Sequence, residues 1–303
     1  MASLRRLVVA GATGKQGGAL ISALLAKSSQ PFEIYAITRN KDSRGAQSLA
    51  SKPNVRVIEG NFDKPEAIFR QIPNAWGLFS VTMPMNARTE EREGKAMTKA
   101  ALDSGVKHIV FTATDRGGDK SDTDPTYVPH FASKYHIERD IMEKARASGA
   151  TWTFLRPVAF MENITDSFLG RLFMTAWRQN GLNSNLQLIS SKDIGRVAAE
   201  AFLNADSEEY RNKALSLAGD DLSSEEAAAV FKEVTGQEMR TTFGFFSTTA
   251  KWVLWEQLGV MLKWFKTVGC KADVKALRQR YPFMMDFRSW LVEESDWRAS
   301  MKS

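Results

Sequence analysis

Short apolar runs alternate with longer amphipathic stretches through the first half of the chain. The runs have the length of β-strands, and they lie at residues 7–10, 32–38, 55–60, 77–82, 108–114 and 151–156. Apolar positions at helical spacing predict helices at residues 19–25, 65–72, 88–104 and 131–148. Strands that alternate with helices of this length predict an α/β fold, a doubly wound parallel sheet with right-handed crossovers.

The second half of the chain carries a mainly helical pattern. Serine-led segments at residues 190–193 and 223–226 resemble helix N-caps, and a short strand is predicted between them at 214–218. With 303 residues, the chain can bury a sizeable core. We therefore expect a Rossmann-type domain at residues 1–157 and a smaller lobe at residues 158–303, which returns some strands to the main sheet.

Two other segments bear on surface and membrane contact. The polar residues 115–129 include glycine, aspartate and proline, and they predict a surface loop over a ligand site. The apolar stretch 252–265 carries Glu256 and Lys263 and is shorter than the roughly 20 apolar residues of a membrane span. Its aromatic and leucine positions recur at helical spacing, which favours a helix in the core or a pocket wall over membrane contact.

Charge, cysteine count and histidine count limit which ligands, partners and compartments we expect. The net charge is +6, from 41 Lys and Arg against 35 Asp and Glu, but the basic residues are interleaved with acids, so we expect no direct nucleic-acid contact. The single Cys270 excludes an internal disulfide, and three histidines without ligand spacing predict no metal site. The first strand begins too near the N-terminus for a signal peptide, which predicts a cytoplasmic protein, with the nucleus left open.

Three glycines follow the first strand directly and lie three residues apart. We assign Gly11 to the turn itself, Gly14 to the approach of backbone N–H groups to a pyrophosphate, and Gly17 to packing of the following helix on the strand. The start of that helix offers free N–H groups and a positive dipole end to the phosphates. The arrangement of strand, glycine turn and helix predicts a dinucleotide site.

The residues after the second strand indicate which dinucleotide binds. An NAD-type fold places an acidic residue there, roughly 20 residues past the glycines, to hold the ribose hydroxyls. This chain instead has Arg39, Asn40 and Lys41, with Arg44 nearby. Cationic donors suit the 2′-phosphate of NADP, which a carboxylate would repel. The predicted cofactor is therefore NADP(H).

The chain resembles the NmrA-like family of atypical short-chain dehydrogenases. The resemblance rests on the Gly-Ala-Thr-Gly-Lys-Gln-Gly turn and on four other segments at residues 38–40, 130–134, 155–163 and 286–291. It covers nearly the whole chain and implies NADP(H) as the usual nucleotide. The cofactor contacts that it implies are Gly11, Ala12, Thr13, Gly14, Lys15, Gln16, Gly17, Arg39, Asn40, Lys41, Asn61, Phe62, Thr82, Met83, Pro84, Lys134, Phe160, Met161, Glu162 and Asn163.

The catalytic prediction depends on Lys134. Ordinary short-chain dehydrogenases carry a tyrosine four residues before this lysine, where the ammonium lowers the phenol pKa and holds the nicotinamide ribose. His130 occupies that position here, so the Tyr-x-x-x-Lys pair is missing. Tyr127 precedes Pro129 and does not share the helix.

Three interpretations remain open. His130 could donate the proton, or Lys134 could be the acid and base, as in the related isoflavone-reductase-like enzymes, with Thr114 polarising the substrate. Either makes the protein an NADPH-dependent reductase of a small carbonyl, imine or enone compound. The alternative, which the resemblance also implies, is a non-catalytic NADP(H) redox sensor that regulates transcription through protein partners. We favour the reductase, because aromatic residues of the second lobe could line an apolar substrate pocket: Phe160, Phe168, Trp177, Phe246 and Trp252.

Overall fold

The computed structural model describes residues 4–27, 31–83, 86–179, 185–241 and 259–297. A central sheet contains seven strands in the order β3-β2-β1-β4-β5-β6-β9, and a second sheet has the order β10-β8-β7. The strands are β1 Arg5–Val9, β2 Phe32–Thr38, β3 Val55–Glu59, β4 Ala75–Val81, β5 His108–Thr112, β6 Thr151–Pro157, β7 Ala159–Phe160, β8 Leu186–Ile189, β9 Lys213–Leu217 and β10 Asp220–Leu222.

The first six strands pair in parallel, which confirms the predicted doubly wound, Rossmann-type sheet. Strand order reverses between β1 and β4, and ligands of such sheets bind at the carboxyl ends of the strands beside this reversal. Leu7, Val8 and Val9 of β1 are fully buried, as expected for a strand covered on both faces.

Helices connect the strands. They are α1 Lys15–Leu25, α2 Arg44–Ala50, α3 Pro65–Arg70, α4 Ala87–Asp103, α5 Pro129–Ser148, α6 Phe168–Gln179, α7 Ser191–Leu203, α8 Ser224–Thr235, α9 at residues 259–267, α10 Val274–Arg280 and α11 Phe287–Glu293. Several boundaries have local causes that the sequence displays. Pro65 occupies the first turn of α3, Gly105 (φ 87°) and Gly149 (φ 70°) follow α4 and α5, and Ser223 forms a capping box with Glu226 at the start of α8.

The chain divides into two compact units. The first consists of Met1–Thr114, Pro129–Arg156 and Lys192–Leu215, and the second of Asp115–Val128, Pro157–Ser191 and Ser216–Ser303. The apolar core of the first unit lies between the sheet and helices α3, α4 and α5, and it includes Phe111 and Phe154 in an edge-to-face contact with centroids 6.4 Å apart.

The apolar stretch 252–265 is described only in part, because residues 252–258 lie outside the described ranges. In α9, the side chains of Leu262 and Phe265 are buried, as their helical spacing predicts, and Trp264 between them is buried as well. Among the helices that the structure describes, none is both long and apolar enough to cross a bilayer.

The prediction of a surface loop at residues 115–129 is wrong for several of its members. Asp115, Arg116 and Ser121 are fully buried, and residues 118–122 form a 3-10 turn. The Asp115 carboxylate provides the acceptor that these buried donors would otherwise find in water, since it accepts hydrogen bonds from backbone N–H groups and a hydroxyl. These donors are the backbone of Gly117, Gly118 and Lys271 and the Oγ of Ser216.

Replacement of Asp115 by alanine is expected to lower the free energy of unfolding by about 2 kcal/mol, because several buried donors lose their acceptor. Urea denaturation of the variant measures this. Asp119→Ala is the matched control, since Asp119 is exposed in the same segment. Equal midpoints for the two variants would show that the buried carboxylate contributes nothing.

Candidate active site

The glycine turn lies between β1 and α1, at the carboxyl end of β1. Gly11 has φ 71°, and a Cβ there would lie 2.8 Å from the Cγ1 of Val81. The backbone N–H of Gly14 donates to the carbonyl of Gly11 over 2.9 Å and closes the turn. The positive φ of Gly11 and the short distance to Val81 explain why the turn requires glycine there, since an L side chain would be both strained and crowded.

The same turn packs tightly against the first turn of α1. A Cβ on Gly17 would lie 2.4 Å from the carbonyl oxygen of Gly11, so helix and turn approach more closely than any side chain permits. Gly14 is the N-cap of α1 and supplies no side-chain acceptor, and the first turn contains no acidic residue. Gln16 Oε1 is buried and has no hydrogen-bond partner within the described ranges. Because the N-cap and the first turn supply no anion of their own, the backbone N–H groups at the helix start are available to a pyrophosphate, whereas the Gln16 oxygen is an acceptor and suits a donor such as a hydroxyl.

Cationic side chains follow β2, whose carboxyl end lies beside that of β1 in the parallel pairing. Arg39, Lys41 and Arg44 are exposed, and in the described part of the chain their charged groups form no ion pair. The backbone of the turn that carries them is held by two side chains: Thr38 Oγ1 donates to the Asn40 carbonyl over 3.2 Å, and the Lys41 N–H donates to the Glu59 carboxylate over 3.2 Å. The guanidinium and ammonium groups thus remain available to a phosphate.

The residues after β3 and β4 lie at the same edge of the sheet. Asn61 Oδ1 accepts from the backbone N–H groups of Asp63 (3.1 Å) and Lys64 (3.3 Å), so this side chain shapes the turn in which Phe62 lies. After β4, Thr82 is buried and Met83 is 67% exposed. Pro84 lies outside the described residues. Contact of these positions with a nucleotide stays a prediction.

Lys134 is buried in an ion pair that joins α5 to α4 and β4. Its Nζ lies 2.9 Å from Glu90 Oε1 and donates to Thr82 Oγ1 over 3.1 Å. Thr82 Oγ1 donates in turn to Glu90 Oε1 over 2.7 Å, and Ser133 Oγ donates to Glu90 Oε2 over 2.6 Å. Below the ammonium, the ring centroid of Phe111 is 5.7 Å away. The lysine that the motif singled out therefore contacts three neighbouring side chains, those of Glu90, Thr82 and Phe111, and Ser133 in turn holds Glu90.

The charge state of Glu90 follows from these contacts. Burial raises the pKa of its carboxyl, but the Lys134 charge and the hydrogen bonds from Ser133, Thr82 and Lys134 outweigh burial and hold the pKa below its ordinary value. The carboxylate is ionised at neutral pH. Sequence reasoning missed Glu90, because a glutamate in the first turn of a helix is most often a helix-dipole partner and nothing in the local pattern marks it as buried.

His130 lies one helical turn before Lys134 on α5. Burial lowers the pKa of its imidazole, Glu90 raises it and Lys134 lowers it, and the net direction is downward. The ring is therefore neutral at pH 7, and the fraction that can donate a proton from an imidazolium is small. Thr114 is half-buried and follows β5, which ends at Thr112, two residues earlier than predicted.

Tyr127 precedes Pro129, the first residue of α5, so it does not share the helix of Lys134, as expected from the proline. Its side chain is 54% exposed, and its Oη lies 3.5 Å from Thr267 Oγ1. Tyr127 and Lys134 belong to different compact units of the chain.

The segment 160–163, which the resemblance assigns to the cofactor, lies in the second unit. Phe160 ends β7, Met161 is fully buried in the 3-10 turn Met161–Asn163, and Glu162 Oε1 accepts the backbone N–H of Ser191 over 2.9 Å at the start of α7. Their contact with a nucleotide stays a prediction.

The aromatic residues proposed for a pocket have different environments. Trp177 is fully buried and its ring centroid lies 6.2 Å from that of Phe173, as in a packed core. Phe168 is 47% exposed. Phe246 and Trp252 lie outside the described residues.

Known proteins resemble the chain along most of its length. The model of the NmrA-like family matches residues 4–284. The NmrA-like family domain-containing oxidoreductase malD of Malbranchea aurantiaca is 27% identical over 259 residues, which are 78% of this chain and 74% of that protein.

Two solved structures share the fold. NmrA, a negative transcriptional regulator in complex with NADP, has a TM-score of 0.72 at 17% identity and covers 98% of this chain and 100% of its own. The Citrobacter sp. triphenylmethane reductase complexed with NADP(H) has a TM-score of 0.69 at 19% identity and covers 94% of this chain and 98% of its own. The sequence resemblance is confirmed: with a family match that spans residues 4–284, this chain belongs to the NmrA-like family.

Proposed function

We propose that this protein is an NADPH-dependent reductase of a small carbonyl, imine or enone compound, with a site that lacks the usual tyrosine. The observation that carries the proposal is the buried Lys134 ammonium, which is held beside Thr82 at the carboxyl end of β4. That strand neighbours β1, which leads into the glycine turn. Solved neighbours of the family hold NADP or NADPH, and the related malD protein is named an oxidoreductase.

Each residue of the site has a distinct task in this proposal. The α1 start and the glycine turn would bind the pyrophosphate, and Lys134 would hold the ribose hydroxyls. Thr114 would polarise the substrate through its hydroxyl. When bound, the nucleotide supplies the hydride. Because His130 is neutral at pH 7, an iminium acceptor, which needs a hydride but no proton, suits this site better than a simple ketone.

The preference for NADP(H) over NAD(H) is assigned to Arg39 and Lys41. Arg39→Ala is expected to weaken NADPH binding at least about tenfold (about 1.4 kcal/mol) and to leave NADH binding unchanged, because only NADPH carries the 2′-phosphate. Calorimetric titration with both nucleotides measures the change. Arg70→Ala is the control, since this exposed arginine lies in the last turn of α3. Equal losses of affinity for NADPH and NADH would show that Arg39 does not recognise the 2′-phosphate.

A second candidate is the non-catalytic NADP(H) sensor that acts through protein partners. Two points support it: burial lowers the pKa of the imidazole at the tyrosine position, and the structural neighbour NmrA is a negative transcriptional regulator. Steady NADPH consumption with carbonyl, imine and enone substrates separates the two. Tight nucleotide binding without turnover of any of these would exclude the reductase and leave the sensor.

A further inference from the structure

Glu90 is a buried carboxylate to which the proposed reductase mechanism gives no task. We infer that it is a positioning residue: its ion pair with Lys134 and the hydrogen bonds around it hold the ammonium in one orientation, so that Lys134 serves as a fixed cation for the nucleotide. The inference rests on the proposed function for its effect on catalysis, but its geometric basis is independent of any bound nucleotide.

The Glu90 carboxylate is fully used within the protein. Its residue is 1% exposed, and both oxygens accept hydrogen bonds: Oε1 from Lys134 and Thr82, and Oε2 from Ser133. A surface glutamate could exchange such partners for water, but a buried one cannot. Its removal would leave buried donors unpaired, and its presence fixes three side chains, Thr82 after β4 and Ser133 and Lys134 of α5, in one arrangement.

The Lys134 ammonium has three protons, and its neighbours account for two of them. One is directed to Glu90 and one to Thr82, with the Phe111 ring on another side. The side chain retains 10% of its accessible surface. The geometry thus leaves one N–H for an outside acceptor, which is what binding of a ribose hydroxyl requires. A lysine that gave up its proton during turnover would break the ion pair at a buried site.

The charges around Lys134 can be named element by element. Helix α4 contributes Glu90, the segment after β4 contributes the uncharged Thr82, β5 contributes the Phe111 ring, and α5 contributes Ser133 and His130. Glu90 is therefore the counter-charge among these groups. Without it, the ammonium loses the partner that fixes its direction, and the Lys134 side chain is expected to sample other orientations.

The experiment compares Glu90→Gln with wild type and with Glu91→Gln. Gln keeps the shape of Glu90 and removes its charge, while Glu91 is the adjacent residue on α4 and pairs with Lys95 at a partly exposed position. NADPH affinity is measured by calorimetry at pH 7. We expect Glu91→Gln to bind NADPH as wild type does, and Glu90→Gln to bind it at least about tenfold more weakly.

A ligand-free measurement separates failure of this inference from failure of the proposed function. The ¹⁵N resonance of the Lys134 Nζ, identified by its loss in Lys134→Arg, reports how firmly the ammonium is hydrogen-bonded. We expect a sharp resonance with slow hydrogen exchange in wild type, and faster exchange with line broadening in Glu90→Gln. A resonance that exchanges equally fast in both proteins overturns the inference, whether or not NADPH binds. If neither protein binds NADPH but the resonances differ, the proposed function fails and the positioning of Lys134 by Glu90 stands.

Discussion

Lys134→Met is expected to reduce NADPH turnover by about 100-fold or more and to destabilise the protein as well. The loss of turnover follows from removal of the cation that would hold the ribose and orient the nicotinamide. The loss of stability has a separate cause, because Glu90 would remain ionised and buried without its partner. An unpaired buried charge of this kind costs about 3–5 kcal/mol. Steady-state kinetics and urea denaturation measure the two effects on the same preparation.

The double variant Glu90→Gln/Lys134→Met separates these causes. With both charges removed, the buried site is uncharged, and most of the lost free energy of unfolding is expected to return. Turnover is expected to stay as low as in Lys134→Met, because the cation is still missing. If the double variant recovered turnover together with stability, Lys134 would have only a structural role and the proposed reductase site would be wrong.

Gly17→Ala is expected to destabilise the protein by about 3 kcal/mol and to weaken NADPH binding at least about tenfold. The new Cβ would lie 2.4 Å from the Gly11 carbonyl oxygen and 2.9 Å from the Cα of Ala12. Both contacts are to backbone, so no side-chain rotation relieves them. The turn must move away from α1, and the proposed pyrophosphate site moves with it. Calorimetry with NADPH and thermal or urea unfolding report the two losses.

The adjacent glycine provides the control for this substitution. A Cβ on Gly18 meets its nearest neighbour, the carbonyl oxygen of Ala12, at an ordinary 3.6 Å. Because alanine favours a helix over glycine, Gly18→Ala is expected to be neutral or to stabilise by up to about 1 kcal/mol. NADPH affinity should be unchanged. Similar behaviour of the two alanine variants would show that close packing of turn and helix does not matter here.

The parts of the structure that local sequence determines could be predicted. The bounds of β2 at Phe32–Thr38 agree fully with the pattern, and the start of α3 at Pro65 and the glycines after α4 and α5 also lie where they were expected. Each of these features depends on residues within a few positions of itself, through propensity, capping or a required positive φ. The glycine turn is of the same kind, since strand, turn and helix are contiguous.

The parts that depend on distant partners could not be predicted. Glu90 and Lys134 are far apart in the sequence, so no local pattern pairs them, although Lys134 itself was recognised from its motif. Asp115 is similar. The composition of residues 115–129 predicts a polar loop, but the donors to the Asp115 carboxylate include Lys271 and Ser216, which lie much later in the chain. In both cases burial of a charged side chain is possible only because tertiary structure supplies the partners.

The position of β9 has a consequence for synthesis of the protein. β9 is the neighbour of β6 at the edge of the main sheet, yet Lys213–Leu217 is translated well after Thr151–Pro157. At typical elongation rates, β6 leaves the ribosome roughly several seconds before its neighbour. During that interval a largely buried apolar strand presents an open edge, which is a template for pairing with other chains. The nascent chain therefore passes through a period of aggregation risk that ends only when the ribosome has delivered the last strand of the sheet.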